Sequence, residues 1–169
     1  MTSNLDLKIG FKGQIELNAQ AVPLQEGYLK LGGIVDPDST SALSFGVVVS
    51  SDPDDAGIIS AGKTSGNIVR GVSVFDDAIA QNSPAHPSSY LQGMPCAVLN
   101  HGFMYLKSYT KTSTGAIDPV IGCKVIYNTT TGAIEFIEST GTVADGYAEL
   151  SNAEVRDVDT DNGALLYLN

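Results

Sequence analysis

Positive charge is scarce in this chain. Lys and Arg total 9 against 19 Asp and Glu, a formal net charge of −10, and arginine occurs only as Arg70 and Arg156. Nucleic acid and anionic membrane surfaces recruit basic protein surface, so neither is expected as a partner. Cysteine is equally sparse. Cys96 and Cys123 each sit inside an apolar run, where a buried free thiol is the ordinary outcome. A disulfide would need an oxidising compartment, and nothing in the sequence points to one. No apolar run approaches the roughly 20 residues needed to cross a bilayer as a helix. Residues 1–6 hold neither a basic region nor an apolar core, so no secretory signal is expected there.

Catalytic groupings are also thin. His86 lies between Pro84 and Pro87 in a loop, and His101 sits in a turn. No serine falls in G-x-S-x-G, neither cysteine has a nucleophile setting, and carboxylates are common simply because the chain is acidic. The chain is therefore expected to be no enzyme and to need no cofactor. Asn128-Thr129-Thr130 reads as a glycosylation sequon, but without a secretory signal it marks only a turn.

What is present is β structure. The 169 residues are 43% apolar and 17% charged, with 18 Gly and no Trp, a composition that favours strands and turns and suits one domain with a real core. The centre is residues 68–106. Residues 68–75, 94–99 and 103–106 are short apolar runs rich in β-branched and aromatic side chains, separated by Gly, Pro, Asn and Ser. Asn100-His101-Gly102 joins the last two runs, which predicts a tight hairpin.

Around this centre the periodicity is two. Residues 1–13 read as an extended arm and 14–169 as a single β domain. Over residues 14–22, Ile15, Leu17, Ala19 and Ala21 alternate with polar neighbours, a strand with one face to bury and the candidate partner-binding face. Tyr28 to Leu31 repeats the alternation after a Glu26-Gly27 turn, and residues 45–49 read as a strand buried on both faces. Residues 107–119, polar and Thr-rich, predict an exposed loop or hairpin. Val125 and Tyr127 should face Ile134 and Phe136 across the Gly132 turn, and residues 163–168 should form a last strand. The one helical candidate is the short stretch 76–81. The expected fold class is all-β, a single-domain antiparallel barrel or sandwich with an extended N-terminal arm.

Two motifs hint at ligands. Residues 57–64, Gly-Ile-Ile-Ser-Ala-Gly-Lys-Thr, fit the phosphate-loop pattern G-x-x-x-x-G-K-[ST]. That mechanism needs a strand feeding the loop and a helix opening at the Lys. Here Asp52, Asp54 and Asp55 crowd the entry with negative charge, and β-branched Ile68 and Val69 follow, so the match is expected to be a coincidence in a turn. The second is Asp157, Asp159 and Asp161 at alternate positions, as calcium loops use oxygen ligands. Gly163 falls one place late for an EF-hand, and Leu168 stands where the bidentate Glu belongs, so an exposed acidic turn is expected, with calcium the alternative.

The order of pieces supplies the functional lead. Ser44-Phe45-Gly46-Val47-Val48-Val49, the run from Gly66 to Val74, the run from Tyr90 to Leu99, Gly102-Phe103-Met104-Tyr105-Leu106, Gly122-Cys123-Lys124-Val125-Ile126-Tyr127 and the Gly132 turn follow one another over about two thirds of the chain. As a whole this resembles the cement or decoration proteins of tailed-bacteriophage heads. The resemblance implies a small non-enzymatic β protein, made in the host bacterial cytoplasm, that sits on the outer capsid surface and bridges subunits of the major capsid protein, commonly as a homotrimer. It transfers no catalytic residue. A tail or baseplate adaptor, or a surface adhesion module of a phage particle, is the alternative, and an enzyme built on residues 57–64 or the terminal acids comes third.

Overall fold

The computed structural model describes residues 21–23, 29–75, 89–107, 109–159 and 163–169. Residues 14–20, the Glu26-Gly27 turn, the helical candidate 76–81, His86 and Asp161 lie outside them. Among the described residues there are fifteen strands and no helix. The first eight are β1 (Ala21–Pro23), β2 (Leu29–Val35), β3 (Leu43–Ser44), β4 (Val48–Ser51), β5 (Ile58–Ala61), β6 (Ile68–Ser73), β7 (Ser89–Tyr90) and β8 (Pro95–Leu99). The rest are β9 (Gly102–Leu106), β10 (Ala116–Ile117), β11 (Lys124–Asn128), β12 (Ile134–Ile137), β13 (Tyr147–Glu149), β14 (Ala153–Val158) and β15 (Ala164–Leu168).

The fold is all-β. Five strands close into a barrel in the order β2-β5-β4-β6-β8, which leaves that sheet without an edge. Its pairs are antiparallel except β2 with β5, where Ile34 aligns with Ile58 and Val35 with Ile59. A sheet β1-β9-β15-β14 and a sheet β10-β12-β11-β13 stand beside it, with β3 and β7 as a separate ribbon. One apolar cluster joins these parts, from Val48 and Ile59 in the barrel through Phe45 and Tyr90 to Phe136 and Leu166. Phe45 is fully buried, edge-on to Phe75 at 5.6 Å and to Tyr90 at 4.9 Å. Burial of one such ring stabilises by about 2–3 kcal/mol. The Tyr90 hydroxyl donates to the Val74 carbonyl at 2.7 Å, so the ring enters the core without an orphaned polar tip.

The expected 122–137 hairpin forms, and the structure sets its register: Val125 opposite Phe136 and Tyr127 opposite Ile134. Other local expectations are overturned. The tight hairpin at residues 100–102 does not form: β8 pairs with β2 and β6, whereas β9 pairs with β1 and β15. The three residues are a crossover between sheets. At Gly71, φ 140, the backbone lies against the Leu99 carbonyl so closely that a Cβ would overlap it, and this holds the end of β8 on β6. Residues 58–61 are strand rather than turn. The strand expected over 45–49 starts only at Val48, because Gly46 at φ 78 turns the chain after the buried Phe45. The acidic region after Glu138 contains two further strands, β13 and β14, whose acids are spaced between half-buried residues.

Candidate docking surface

The groups with apparent chemistry are engaged within the fold. In the phosphate-loop match, the Gly62 amide donates to the Val48 carbonyl at 2.8 Å and the Lys63 amide to the Thr129 carbonyl at 2.7 Å. A phosphate loop works by aiming these amides at its ligand. Here the Gly62 amide bonds to β4 within the barrel, the Lys63 amide ties the end of β5 to the turn between β11 and β12, and Ile58–Ala61 is committed to β5. The motif is a coincidence, as its surroundings suggest.

The terminal acids are likewise used locally. Asp157 Oδ1 accepts from the Val158 amide at 2.8 Å, and Asp159 Oδ2 accepts from the Tyr105 hydroxyl at 2.8 Å. No group of three or more His, Cys, Asp or Glu is arranged to hold a metal among the described residues. Cys96 and Cys123 are both buried and free, and burial pushes the Cys96 thiol up to about 11, far from a reactive thiolate.

One polar centre escaped the sequence reading. Glu135 lies fully buried in β12, between Ile134 and Phe136. Its carboxylate accepts hydrogen bonds from Thr110 Oγ1 (2.8 Å), the Thr112 amide and hydroxyl (3.1 and 2.5 Å), the Ser113 amide and hydroxyl (2.8 and 2.6 Å) and the Tyr147 hydroxyl (3.1 Å). Burial alone would raise its pKa, but the donors from Ser113, Thr112 and Thr110 outweigh it and hold the carboxyl at about 2. At neutral pH the group is an ionised anchor. It pins residues 110–113 to the sheet, so the exposed loop or hairpin expected over 107–119 is exposed only in part: Ser113 is buried and β10 pairs with β12. An acid inside an otherwise apolar strand, with a Thr- and Ser-rich segment elsewhere, was the available signal.

A family model described as "Structural cement protein (E217 gp24/Pam3 gp6)" matches residues 1–169. The chain belongs to this phage structural cement protein family. None of the curated proteins matches it. Membership of the cement family supports a capsid-stabilising structural role, association with capsid proteins and a place in the virion capsid. For a cement protein the functional site is a docking surface, and two regions of the described structure have that character.

The first is on the β9-β15-β14 sheet. Register sets Phe103 beside Tyr167 and Tyr167 beside Glu154, and the bulge in β14 falls at Arg156. The Phe103 and Tyr167 ring centres are 4.7 Å apart, His101 meets Tyr167 edge-on at 5.8 Å, and the Arg156 guanidinium lies 5.3 Å from the Tyr167 ring while pairing with Glu154 at 2.7 Å. Half-buried aromatics with an exposed arginine are the composition that protein interfaces favour. The second is the turn at residues 119–123, where Val120 and Ile121 are exposed. Of the sequence-derived partner residues, Ile15, Leu17 and Ala19 lie outside the described residues. Ala21 begins β1, the edge strand of the same sheet, aligned with Leu106.

Proposed function

We propose that this chain is a capsid cement protein that binds the outer surface of a tailed-phage head and stabilises it by bridging major capsid protein subunits, as a homotrimer. The observation that carries the reading is the match to the cement family along the whole of residues 1–169. Two physical features support it. The polar groups that might have done chemistry, Glu135 and the amides of Gly62 and Lys63, are consumed in holding the fold. The Phe103–Tyr167–Arg156 cluster supplies interface-type side chains on an otherwise acidic molecule.

In this reading residues 14–169 form one β domain and residues 1–13 an arm. The alternating Ile15, Leu17, Ala19 and Ala21 contact a sister subunit or the capsid by adding to a sheet edge. Bridging works by linkage: a ligand that binds only the assembled lattice at 100 times its Kd stabilises it by about 2.7 kcal/mol per site. The protein acts through binding free energy, with no chemical step.

The test is to mix the purified chain with heads that lack it, sediment them, and heat the decorated and bare heads in parallel. Co-sedimentation with a higher temperature of DNA release is expected, and native mass spectrometry of the free protein should give the mass of a trimer. Binding to purified tails and not to heads would replace this reading with that of a tail adaptor.

A further inference from the structure

We propose that residues 5–12 of one copy lie in the groove that Asp38, Val47, Tyr109 and Ile134 line on a second copy, tying the copies head to tail. This rests on the homotrimer reading above, names the contact that holds it, and is judged apart from head binding.

Two cavities, of about 600 and 280 Å³, meet at Ser44, Val47 and Thr131, which line both. One end is acidic, with Asp36 and Asp38 on its wall. Asp36 Oδ1 accepts from the Asp38 amide at 2.9 Å and Oδ2 from the Ser60 hydroxyl at 3.3 Å, and Asp38 is exposed. Neither carboxylate meets a cation among the described residues. The other end is apolar, lined by Gly46, Val47, Ala133 and Ile134 beside Tyr109. Its walls are fixed. A bridge joins Val47 to Ala133, and Tyr109 packs edge-on to Phe136 at 5.3 Å while its hydroxyl donates to Asp118 at 2.6 Å. A preformed receptor of this kind loses little conformational freedom when it is filled.

The occupant follows from charge, pattern and reach. Leu5, Leu7, Ile9 and Phe11 alternate with Asp6, Lys8, Gly10 and Lys12, and residues 1–12 carry a formal +1 on a chain of −10. Extended, such a segment turns its apolar side to Val47 and Ile134 and its lysines to the carboxylates of Asp36 and Asp38. β1 sets the direction: Ala21 aligns with Leu106, so the chain before it runs antiparallel towards Tyr109. Tyr109 stands three residues past Leu106, at most roughly 11 Å along. Continued as a strand, the alternating residues 14–20 carry residue 13 roughly 26 Å from Ala21. That overshoots the copy's own groove, so the groove within reach is a neighbour's. Repeated from copy to copy, a heterologous contact of this kind closes into a ring.

The experiment places a benzophenone photocrosslinker at position 11 of the full chain, irradiates it and maps the joined peptides by mass spectrometry. Crosslinks to residues 44–47, 109–110 or 131–134 in species of dimer mass or above are expected. Crosslinks elsewhere overturn the groove, and crosslinks to these residues within monomers overturn the second-copy assignment. Sedimentation velocity and thermal melting then compare the parent with Phe11→Ser and with the double variant Lys8→Glu, Lys12→Glu. Self-association should weaken at least tenfold for Phe11→Ser, as truncation of an interface anchor does. The double variant should lose about threefold, the scale of exposed ion pairs, and Asp38→Lys added to it should restore part of that loss. Equal self-association of all variants and parent overturns the arm. A parent chain that stays monomeric overturns this inference and the homotrimer together, while binding to heads is judged by the sedimentation assay above.

Discussion

Gly62 and Gly132 face each other across the seam between the barrel and the β10-β12-β11-β13 sheet, joined through Val48. The Gly62 amide donates to the Val48 carbonyl, and the Val48 amide donates to the Gly132 carbonyl, both at 2.8 Å. Both glycines have positive φ, 70 and 72, and a Cβ on Gly132 would overlap the Val48 carbonyl and lie 2.8 Å from the Gly62 nitrogen. The seam exists because neither position has a side chain.

Gly132→Ala should therefore destabilise by about 2–4 kcal/mol, combining left-handed strain with a forced separation of the two backbones. Gly115→Ala is the control. Gly115 has φ 83 but open space around its would-be Cβ, so only the strain of about 1–2 kcal/mol applies. Urea denaturation of both variants decides it, and equal losses would remove the close approach from the account.

Glu135 makes stability depend on acid. Its folded pKa, about 2, lies below its ordinary 4.5, so the ionised form stabilises the fold fully above about pH 4.5 and that contribution is lost as pH falls towards 2. The amount is roughly 3 kcal/mol, from the linkage between pKa shift and free energy. Glu135→Gln should be less stable at neutral pH, since an amide NH2 would confront the Thr112 and Ser113 donors, and its stability should change less over that acid range. Denaturation midpoints measured at several pH values for both proteins test this; parallel curves would assign the acid sensitivity to other carboxylates.

The arm makes a separable prediction. The described strands begin at Ala21, and the apolar cluster draws on Val35 and residues beyond it. Deleting residues 1–12 should leave the melting temperature within a few degrees of the parent while weakening attachment to heads. Attachment as strong as the parent's would take those residues out of the binding account.

The hairpin of β11 and β12 was legible because both strands, their alternation and the glycine between them are sequence neighbours. The all-β class followed the same way, from short β-branched runs broken by Gly and Pro. The 100–102 linker misled because its local pattern suits a hairpin, while Leu99 and Phe103 find partners in different sheets. Strand β5 was hidden inside a glycine-flanked motif, and its parallel pairing with β2 depends on a strand far back in the chain. Glu135 was invisible for a related reason: its donors Thr110 and Ser113 stand 25 and 22 residues away.

By itself, then, the sequence determined the β class, the acidic charge, the local β11–β12 hairpin and, through the order of its pieces, the family. Tertiary structure alone decided which strands close the barrel, which acid is buried and ionised, and which apolar pair, Val120 and Ile121, remains in water. Periodicity and turn chemistry are properties of adjacent residues, whereas strand partnership and burial depend on backbones that meet only when distant segments pack, as at Gly62 and Gly132.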